Sequence, residues 1–517
     1  MAVIDFFDKG WAAAPNAVAY RTADESWTYD EAGRMSCRIA QALLAAGISK
    51  ETPVAVLSAN TPMAWICVLG IWRAGAAWVP LNHGSPAADN AALIDRFDVE
   101  LLFFDSSLAA DAATIIADCP GIEAVALDDS TQAVALDQWL GSAPDTAPNV
   151  EYDMNDVVAL MPTGGTTGLP KGVMNTHRSI SVMVVHQMLA MAYDEGEPIV
   201  NLAAAPMTHT AGLLTLQTTA RAGTVAIIER ASPDLVLDAI ARFGVTELFL
   251  PPTVVYRLLD VLEHRDADTS TLKYLIYGAA PMSVDKLRAG VARLGSVFLQ
   301  LYGQVEAPAG VAFLRPSEHL VDGELAPNNR LSSCGRPYPL VSLRIMDPVT
   351  DLAVPTGQTG EICVRGDLVM KGYYKDPERS AETVRGGWLH TGDMGHLDTE
   401  GYLHITDRKK DLIITGGFNV YPNEVEQVIW SHPAVQDCAV VGAPDNDWGE
   451  RVTAVVELNP DHQVDAEELI ALCREKLGGV RTPKQLVFVD SLPRSVNGKV
   501  LKKDIRASFW ADAGRTI

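Results

Sequence analysis

Residues 162–172 read PTGGTTGLPKG, a run of glycines and threonines that ends on Lys171 and Gly172. Glycine lets backbone N–H groups approach an anion, threonine adds hydroxyl donors and lysine adds charge, so the composition suits a phosphate cradle. It is not a Walker loop. That pattern, GxxxxGK[ST], needs glycine before the lysine and Ser or Thr after it, whereas Pro170 precedes Lys171 and Gly172 follows it. Taken alone, GGTTG reads equally as a mobile surface turn. Three more polar or Gly/Pro-rich segments share its setting directly after an apolar run: PMTH (206–209) after IVNLAAA, GAAP (278–281) after YLIY, and YGQVEAP (302–308) after VFLQL.

The elements that must position these segments are short and apolar: VVALM (157–161), IVNLAAA (199–205), TVAII (224–228), ELFL (247–250), YLIY (274–277) and VFLQL (297–301), spaced by helical patterns. Such alternation predicts an α/β fold with a largely parallel sheet. Ligands of open α/β sheets bind outside the strand carboxyl ends, so the four segments are expected to converge on one crevice, with PTGGTTG running from a strand into a helix. After residue 340 the texture changes to short alternating strands (SLRIMD, GEICVRG, WLHTGD, GYLHITD), the pattern of a small β subdomain. Residues 420–510 have their own βαβ-like pattern, with NEVEQVIWSH and AEELIALCREKL as helices and AVQDCAVVGAPD as strand and turn. A domain boundary is expected near 407–411, dividing residues 1–407 from 408–517.

Composition narrows the class. Apolar residues at 48% and charged residues at 21% are globular values. Asp and Glu outnumber Lys and Arg by 65 to 41, a net charge of −24. That balance argues against a protein that coats nucleic acid or an anionic membrane, and any anionic ligand must meet locally gathered basic groups. The seven cysteines are scattered and never form CxxC, which fits a reducing, cytoplasmic setting better than a disulfide framework or a zinc site. The start, MAVIDFFDKGW, is acidic where a secretory leader would be basic. MAWICVLGIW (63–72) is half the length needed to span a bilayer and is expected to be a buried helix. The Ala-rich segment 105–150 is expected at the periphery.

The chain resembles the acyl-adenylate-forming (AMP-binding) superfamily of acyl-CoA synthetases, NRPS adenylation domains and beetle luciferase, in its acyl-CoA synthetase or fatty-acid–CoA ligase branch. The phosphate loop of that family, [ST]-[SG]-G-[ST]-T-G-x-P-K-G, matches Thr163 to Gly172. RAGAAWVPLN (73–82), PMTHTAG (206–212), GAAP, YGQVEAP, GEICVRG (360–366), HTGD (390–393), DRKKDLIITGG (407–417) and PRSVNGK (493–499) match further motifs in order, over nearly the whole chain. The resemblance implies a large N-terminal domain of parallel and mixed sheets with a small β subdomain, and a small mobile α+β C-terminal domain. It also implies a two-step reaction: ATP and a carboxylic acid form acyl-AMP and pyrophosphate, and a thiol, commonly that of coenzyme A, then displaces AMP.

Site residues follow from the same resemblance. Thr163, Gly164, Gly165, Thr166, Thr167, Gly168 and Lys171 would hold the β- and γ-phosphates. Tyr302 would stack on adenine with Gly278, Ala279 and Ala280 on the other side, next to Gly303 and Gln304. Asp393 would take the ribose hydroxyls beside Arg408, and Glu306, with Thr167, would hold Mg²⁺, a hard cation that wants oxygen ligands. Lys499 would bridge carboxylate and phosphate during adenylation, where two anions must be brought together. His209 would sit between nucleotide and acyl pocket. Lys410 marks the hinge, Gly416 and Gly417 a pantetheine tunnel, and Trp448, Arg481 and Lys484 contacts for the CoA nucleotide. By residue type alone, Lys499 and Arg408 read as solvated cations, Glu306 as a surface residue, Asp393 as a turn residue, Tyr302 as sheet-edge packing and His209 as a loop histidine.

One position departs from the family: YGxTE here reads YGQVE, with Val305 where threonine is usual. Losing one hydroxyl hydrogen bond costs on the order of 1 kcal/mol, which slows adenylation rather than abolishing it. The aspartate by which amino-acid-loading members pair an α-ammonium is missing from PMTHTAG. Ala307 to Gly310 are small and apolar, leaving room for a hydrophobic medium-chain, alicyclic or aryl acid. Two other readings stand beside a CoA ligase: an adenylating ligase that passes the acyl group to an amine or a carrier protein, and a catalytically weak acyl- or nucleotide-binding regulator. A monomer or homodimer without nucleic-acid partners is expected.

Overall fold

The structure, a computed structural model, describes all residues except 164–169, 209, 446, 461, 496–498 and 512–517. The expected parallel strands form, but on two sheets rather than one. Val200–Ala203, Thr224–Ile227, Glu247–Leu250, Tyr274–Gly278 and Phe298–Gln304 lie parallel in a nine-stranded sheet, continued at one end by the antiparallel Ala307–Leu314. Val157–Thr163 instead belongs to an eight-stranded sheet, parallel to Ala77–Pro80. Periodicity marks a strand without saying which strand it pairs with, and for this reason one sheet was the simpler expectation.

The setting of the opening loop is corrected too. Thr163 and Lys171 are register partners, and Lys171–Thr176 runs back antiparallel along Val157–Thr163 to Thr176 opposite Val157. The GGTTG segment therefore joins two strands of a hairpin; it does not lead into a helix. The helix His177–Ala190 begins only after the second strand. There the Thr176 hydroxyl accepts from the Ser179 N–H and Ser179 Oγ accepts from the Thr176 N–H, a reciprocal cap.

MAWICVLGIW is helical as expected, within Pro62–Arg73, started by the Thr61 hydroxyl cap and Pro62. Apolar all round, it is buried all round except at Met63. Trp65, Trp72 and Trp78 meet edge to face with ring centroids 5.6–5.9 Å apart. No helix among the described residues is long and apolar enough to cross a membrane.

Ser342–Met346, Gly360–Arg365, Trp388–Leu397 and Leu403–Arg408 form an antiparallel sheet, the anticipated β subdomain. Beyond it, Val435–Asp445 and Gly449–Leu458 pair antiparallel. Gln485–Val489 adds parallel to Gly449–Leu458 across the helix Ala466–Leu477, a βαβ unit. The cores around Ile413, Ile429 and Cys473 and around Ala439, Leu492 and Ile505 draw their buried members only from residue 413 onward.

Candidate active site

The strand Phe298–Gln304 delivers Tyr302, Gly303 and Gln304 to the end of the nine-stranded sheet, and Val305 and Glu306 turn the chain into Ala307–Leu314. Gly303 has to be glycine: a Cβ there would lie 2.6 Å from the Ala309 N and 2.9 Å from the Ala307 O. Next door, Gly278 is the register partner of Leu301, which brings the GAA segment against Tyr302, and Ala279 holds a left-handed φ of 66°. Such strain in a non-glycine residue persists where the surroundings impose it and tends to gather at sites.

Asp393 is where the nine-stranded sheet meets the β subdomain. Its side chain is buried, 6% exposed. The Tyr302 hydroxyl and Gln304 Nε2 donate to Oδ2 at 2.8 and 2.7 Å, and Arg408 Nε stands 2.9 Å from Oδ1. Arg408 is also its partner across the ladder of adjacent strands. Burial, reinforced by Asp393, pushes the Tyr302 hydroxyl well above its usual range, so it remains a donor. Asp393 in turn holds Arg408 more firmly cationic than usual. Behind this pair, buried Glu361 accepts from the Gly392 N–H at 3.1 Å and faces His390 Nδ1 at 3.3 Å and Lys409 Nζ at 3.6 Å. GEICVRG marked this stretch in the sequence without singling out its glutamate.

A second cluster joins the hairpin to Glu306. The Tyr373 hydroxyl donates to Glu306 Oε1 at 2.8 Å, and Lys171 Nζ stands 4.6 Å from the center of the Tyr373 ring. Tyr373 is placed by a short strand, Gly372–Tyr373, that pairs with Lys171–Thr176. Asn175 Nδ2 donates to the Val305 carbonyl at 3.2 Å, tying the Val305–Glu306 turn to the other sheet. Burial, then Arg379, lowers the Lys171 pKa, while Glu306 opposes that shift. Tyr373 and Asn175 were missed in the sequence because their roles depend on strand pairing.

Lys499 arrives from the C-terminal unit. Arg494 anchors the base of its loop, 2.8 Å from Asp437 and 3.0 Å from Glu457, and Ser495 N–H donates to the Lys499 carbonyl at 2.8 Å. Lys499 is exposed to solvent overall, yet its ammonium is crowded by protein on one side, and desolvation followed by repulsion from Arg408 brings it down to about 8. Asp393, Lys410 and Asp411 act on the same charge. Lys410 itself is exposed in the turn after Leu403–Arg408. Tyr302, Gln304, Asp393 and Arg408 are thus gathered into one site; the charges of Lys410 and Lys499 act on it from nearby, and Glu306 and Lys171 form the second cluster.

The remaining expected residues divide. Gly416 (φ 56°) and Gly417 (φ 82°) turn the hairpin Ile413–Val420, and Gly416 N–H donates to the Trp448 carbonyl at 2.8 Å. A Cβ on Gly416 would lie 2.2 Å from the Trp448 ring, so these three form one corner. Arg481 and Lys484 are engaged elsewhere, with Glu424 at 3.2 Å and the Gly479 carbonyl at 2.6 Å. Ala307 is fully buried. The room expected beside Gly310 is filled by His186, whose Nδ1 is 3.0 Å from the Gly310 carbonyl and which stacks on Tyr338 at 4.4 Å. Gly164, Gly165, Thr166, Thr167, Gly168 and His209 lie outside the described residues.

Strand ends carrying the polar segments GAA and YGQVE, a buried carboxylate held by a tyrosine and an arginine, and a C-terminal unit with a lysine under the same charges define a class of adenylate-forming α/β enzyme. Residues 7–374 match the AMP-binding enzyme family and residues 424–499 the AMP-binding enzyme C-terminal domain. A feruloyl-CoA synthase of Amycolatopsis sp is 36% identical over 504 residues, covering 96% of each chain. The amide bond synthetase McbA of Marinactinospora thermotolerans superposes with a TM-score of 0.88 at 33% identity, over 98% of this chain and 100% of that one. MatB of Rhodopseudomonas palustris, 30% identical and covered completely, scores 0.88 in its ATP-bound form and 0.78 in its apo form. The chain belongs to the AMP-binding enzyme family, in its acyl-CoA ligase branch. It is an ATP-dependent, AMP-forming acid–thiol ligase.

Proposed function

We propose that the chain couples a hydrophobic aryl, alicyclic or medium-chain acid to coenzyme A in the cytoplasm, with its two half reactions divided between two poses of residues 408–517 about Lys410. The observation that carries this reading is the buried Asp393–Arg408 pair, with Tyr302 and Gln304 on the same carboxylate and Lys499 of the C-terminal unit under the influence of its charges. In the first half reaction the acid's carboxylate oxygen attacks the α-phosphorus of ATP, the bond to the β-phosphate oxygen breaks, and pyrophosphate leaves. The Lys499 ammonium lies across the carboxylate and α-phosphate oxygens, where their charges would otherwise repel. Asp393 offers about four acceptor sites, of which Tyr302, Gln304 and Arg408 use three, so a ribose hydroxyl takes the fourth and a second is gained by displacing Gln304. Lys171 and the hairpin loop hold the outgoing phosphates.

Glu306 suits Mg²⁺, because its carboxylate is a hard oxygen donor steadied by Tyr373 and set beside the phosphate lysine. A bound Mg²⁺ would neutralise phosphate charge there. In the second half reaction the acyl carbonyl is attacked by the thiolate of CoA, and AMP leaves. Removing Lys499 opens the approach, while Gly416 and Gly417 supply backbone without side chains for the pantetheine arm.

The similarity to a feruloyl-CoA synthase supports an aryl acid, and the similarity to an amide bond synthetase supports a second reading in which an amine replaces the thiol as acceptor. A screen of carboxylic acids for pyrophosphate release, followed by product masses with CoA, with amines or with neither, separates them. Thioester products that require CoA are expected. Amides formed at comparable rates without CoA would replace the first reading with the second.

A further inference from the structure

Three residues after Lys499, Lys502 opens the helix Lys502–Trp510 and enters a buried site with two carboxylates. Its Nζ lies 2.8 Å from Glu426 Oε1 and 4.0 Å from Asp407 Oδ2. Both carboxylates are almost sealed, with side chains 3% and 6% exposed. Each is also held by backbone: Glu426 Oε1 accepts from the Val440 N–H at 2.7 Å, while Asp407 accepts from the Asn423 N–H at 2.9 Å and the Arg408 N–H at 2.7 Å. Burial raises both carboxyls above their usual range even with the ammonium between them, and the pair of carboxylates holds Lys502 firmly protonated.

The three residues come from both sides of the segment around Lys410. Asp407 precedes it, on the strand Leu403–Arg408 that also presents Arg408 to Asp393. Glu426, on the helix Pro422–Trp430, and Lys502 both follow it. A turn of the C-terminal unit about Lys410 would part Asp407 from Lys502 and leave Glu426 and Lys502 together. The departing carboxylate gains water and the ammonium keeps a partner, so separation strands no buried charge, which is the expensive outcome for such pairs. Breaking the contact between Asp407 and the Asn423 N–H releases the start of the helix in the same movement.

We propose that Lys502 is a positioning residue for Lys499, holding it at the Asp393–Arg408 site by bridging Asp407 and Glu426, and that Asp407 is the half of the bridge given up when the unit turns. This rests on the reading of Lys499 as the adenylation lysine. A displacement of about 1 Å at a reacting group costs up to roughly a hundredfold in rate, so loss of the bridge is expected in kcat for adenylation and not in ATP affinity.

The test measures two half reactions separately in the full-length protein: pyrophosphate release from ATP and a working acid, and thioester formation from synthetic acyl-adenylate with CoA. Lys502→Met and the nearly isosteric Asp407→Asn are expected to lower kcat for pyrophosphate release about tenfold or more, with KM for ATP within about twofold. Thioester formation should be kept or accelerated, and Lys502→Arg should recover most of the first rate. Equal losses in both halves, or Lys502→Met and Asp407→Asn at wild-type rates, would overturn the proposal. Lys499→Ala run alongside separates the two ideas: if it still releases pyrophosphate, the adenylation reading fails and takes this proposal with it. If it does not, the Lys502 and Asp407 results judge the bridge alone.

Discussion

Lys499, the proposed adenylation lysine, carries its charge in a place that disfavours cations. Crowding and the neighbouring Arg408 bring its pKa down from the usual lysine value to about 8, with Asp393 and Asp411 opposing them. A lowered lysine pKa means that the charge is present below about pH 8 and lost as the pH rises through it. The free-enzyme parameter kcat/KM for pyrophosphate release should therefore fall above about pH 8, approaching tenfold per pH unit, while thioester formation from supplied acyl-adenylate shows no such descent. Lys499→Ala should abolish the first activity, spare the second and remove the pH dependence; a mutant that loses both halves together would contradict this assignment. Val305 makes a smaller prediction. Its carbonyl is tied to Asn175 and its side chain packs partly buried against the main core, so the turn stays in place without the threonine hydroxyl usual in the family. Val305→Thr should raise ATP–pyrophosphate exchange several-fold, about the worth of one hydrogen bond near 1 kcal/mol. Unchanged exchange at saturating acid would show that the hydroxyl has no partner here.

At the scale of elements, the glycine pair at the tip of the Ile413–Val420 hairpin is the sharpest test. Gly416 needs a left-handed φ and lies under the Trp448 ring, so Gly416→Ala combines backbone strain of about 1–2 kcal/mol with a direct clash. Thioester formation should drop about tenfold or more while pyrophosphate release stays within about twofold, and equal effects on both would place the hairpin outside the thiol path. The elements also show where the sequence could be read. Pro62–Arg73 was legible because it is apolar on every side, and the parallel strands because each is a short Val/Ile/Leu run. The return strand Lys171–Thr176 was not: KGVMNT has no two-residue alternation, and only its ladder with Val157–Thr163 makes it a strand. Tyr373 and Asn175 were hidden for the same reason, since what they touch is decided by pairing between distant segments. Asp393, Arg408 and Lys499 could be named from motif spelling, but the pairing of Asp393 with Arg408 is a tertiary fact.

For the whole molecule the prediction concerns the two poses proposed for residues 408–517 about Lys410. Spectroscopic labels on the exposed residues Glu263 and Lys476 should report one distance with ATP and a different one with a non-hydrolysable acyl-adenylate and CoA. A single distance under both conditions would rule out a turn about Lys410. The strand pair that joins Asp393 to Arg408 has a further consequence. Arg408 is two residues from Lys410, so a nucleotide that touches this pair would touch the base of the proposed hinge, and the two equilibria would then be linked. Linkage is reciprocal: by whatever factor bound nucleotide favours one pose, that pose tightens nucleotide binding by the same factor. Under the proposed turn, each nucleotide would leave most readily from the pose it binds less tightly, so the order of product release would be set partly at this strand pair.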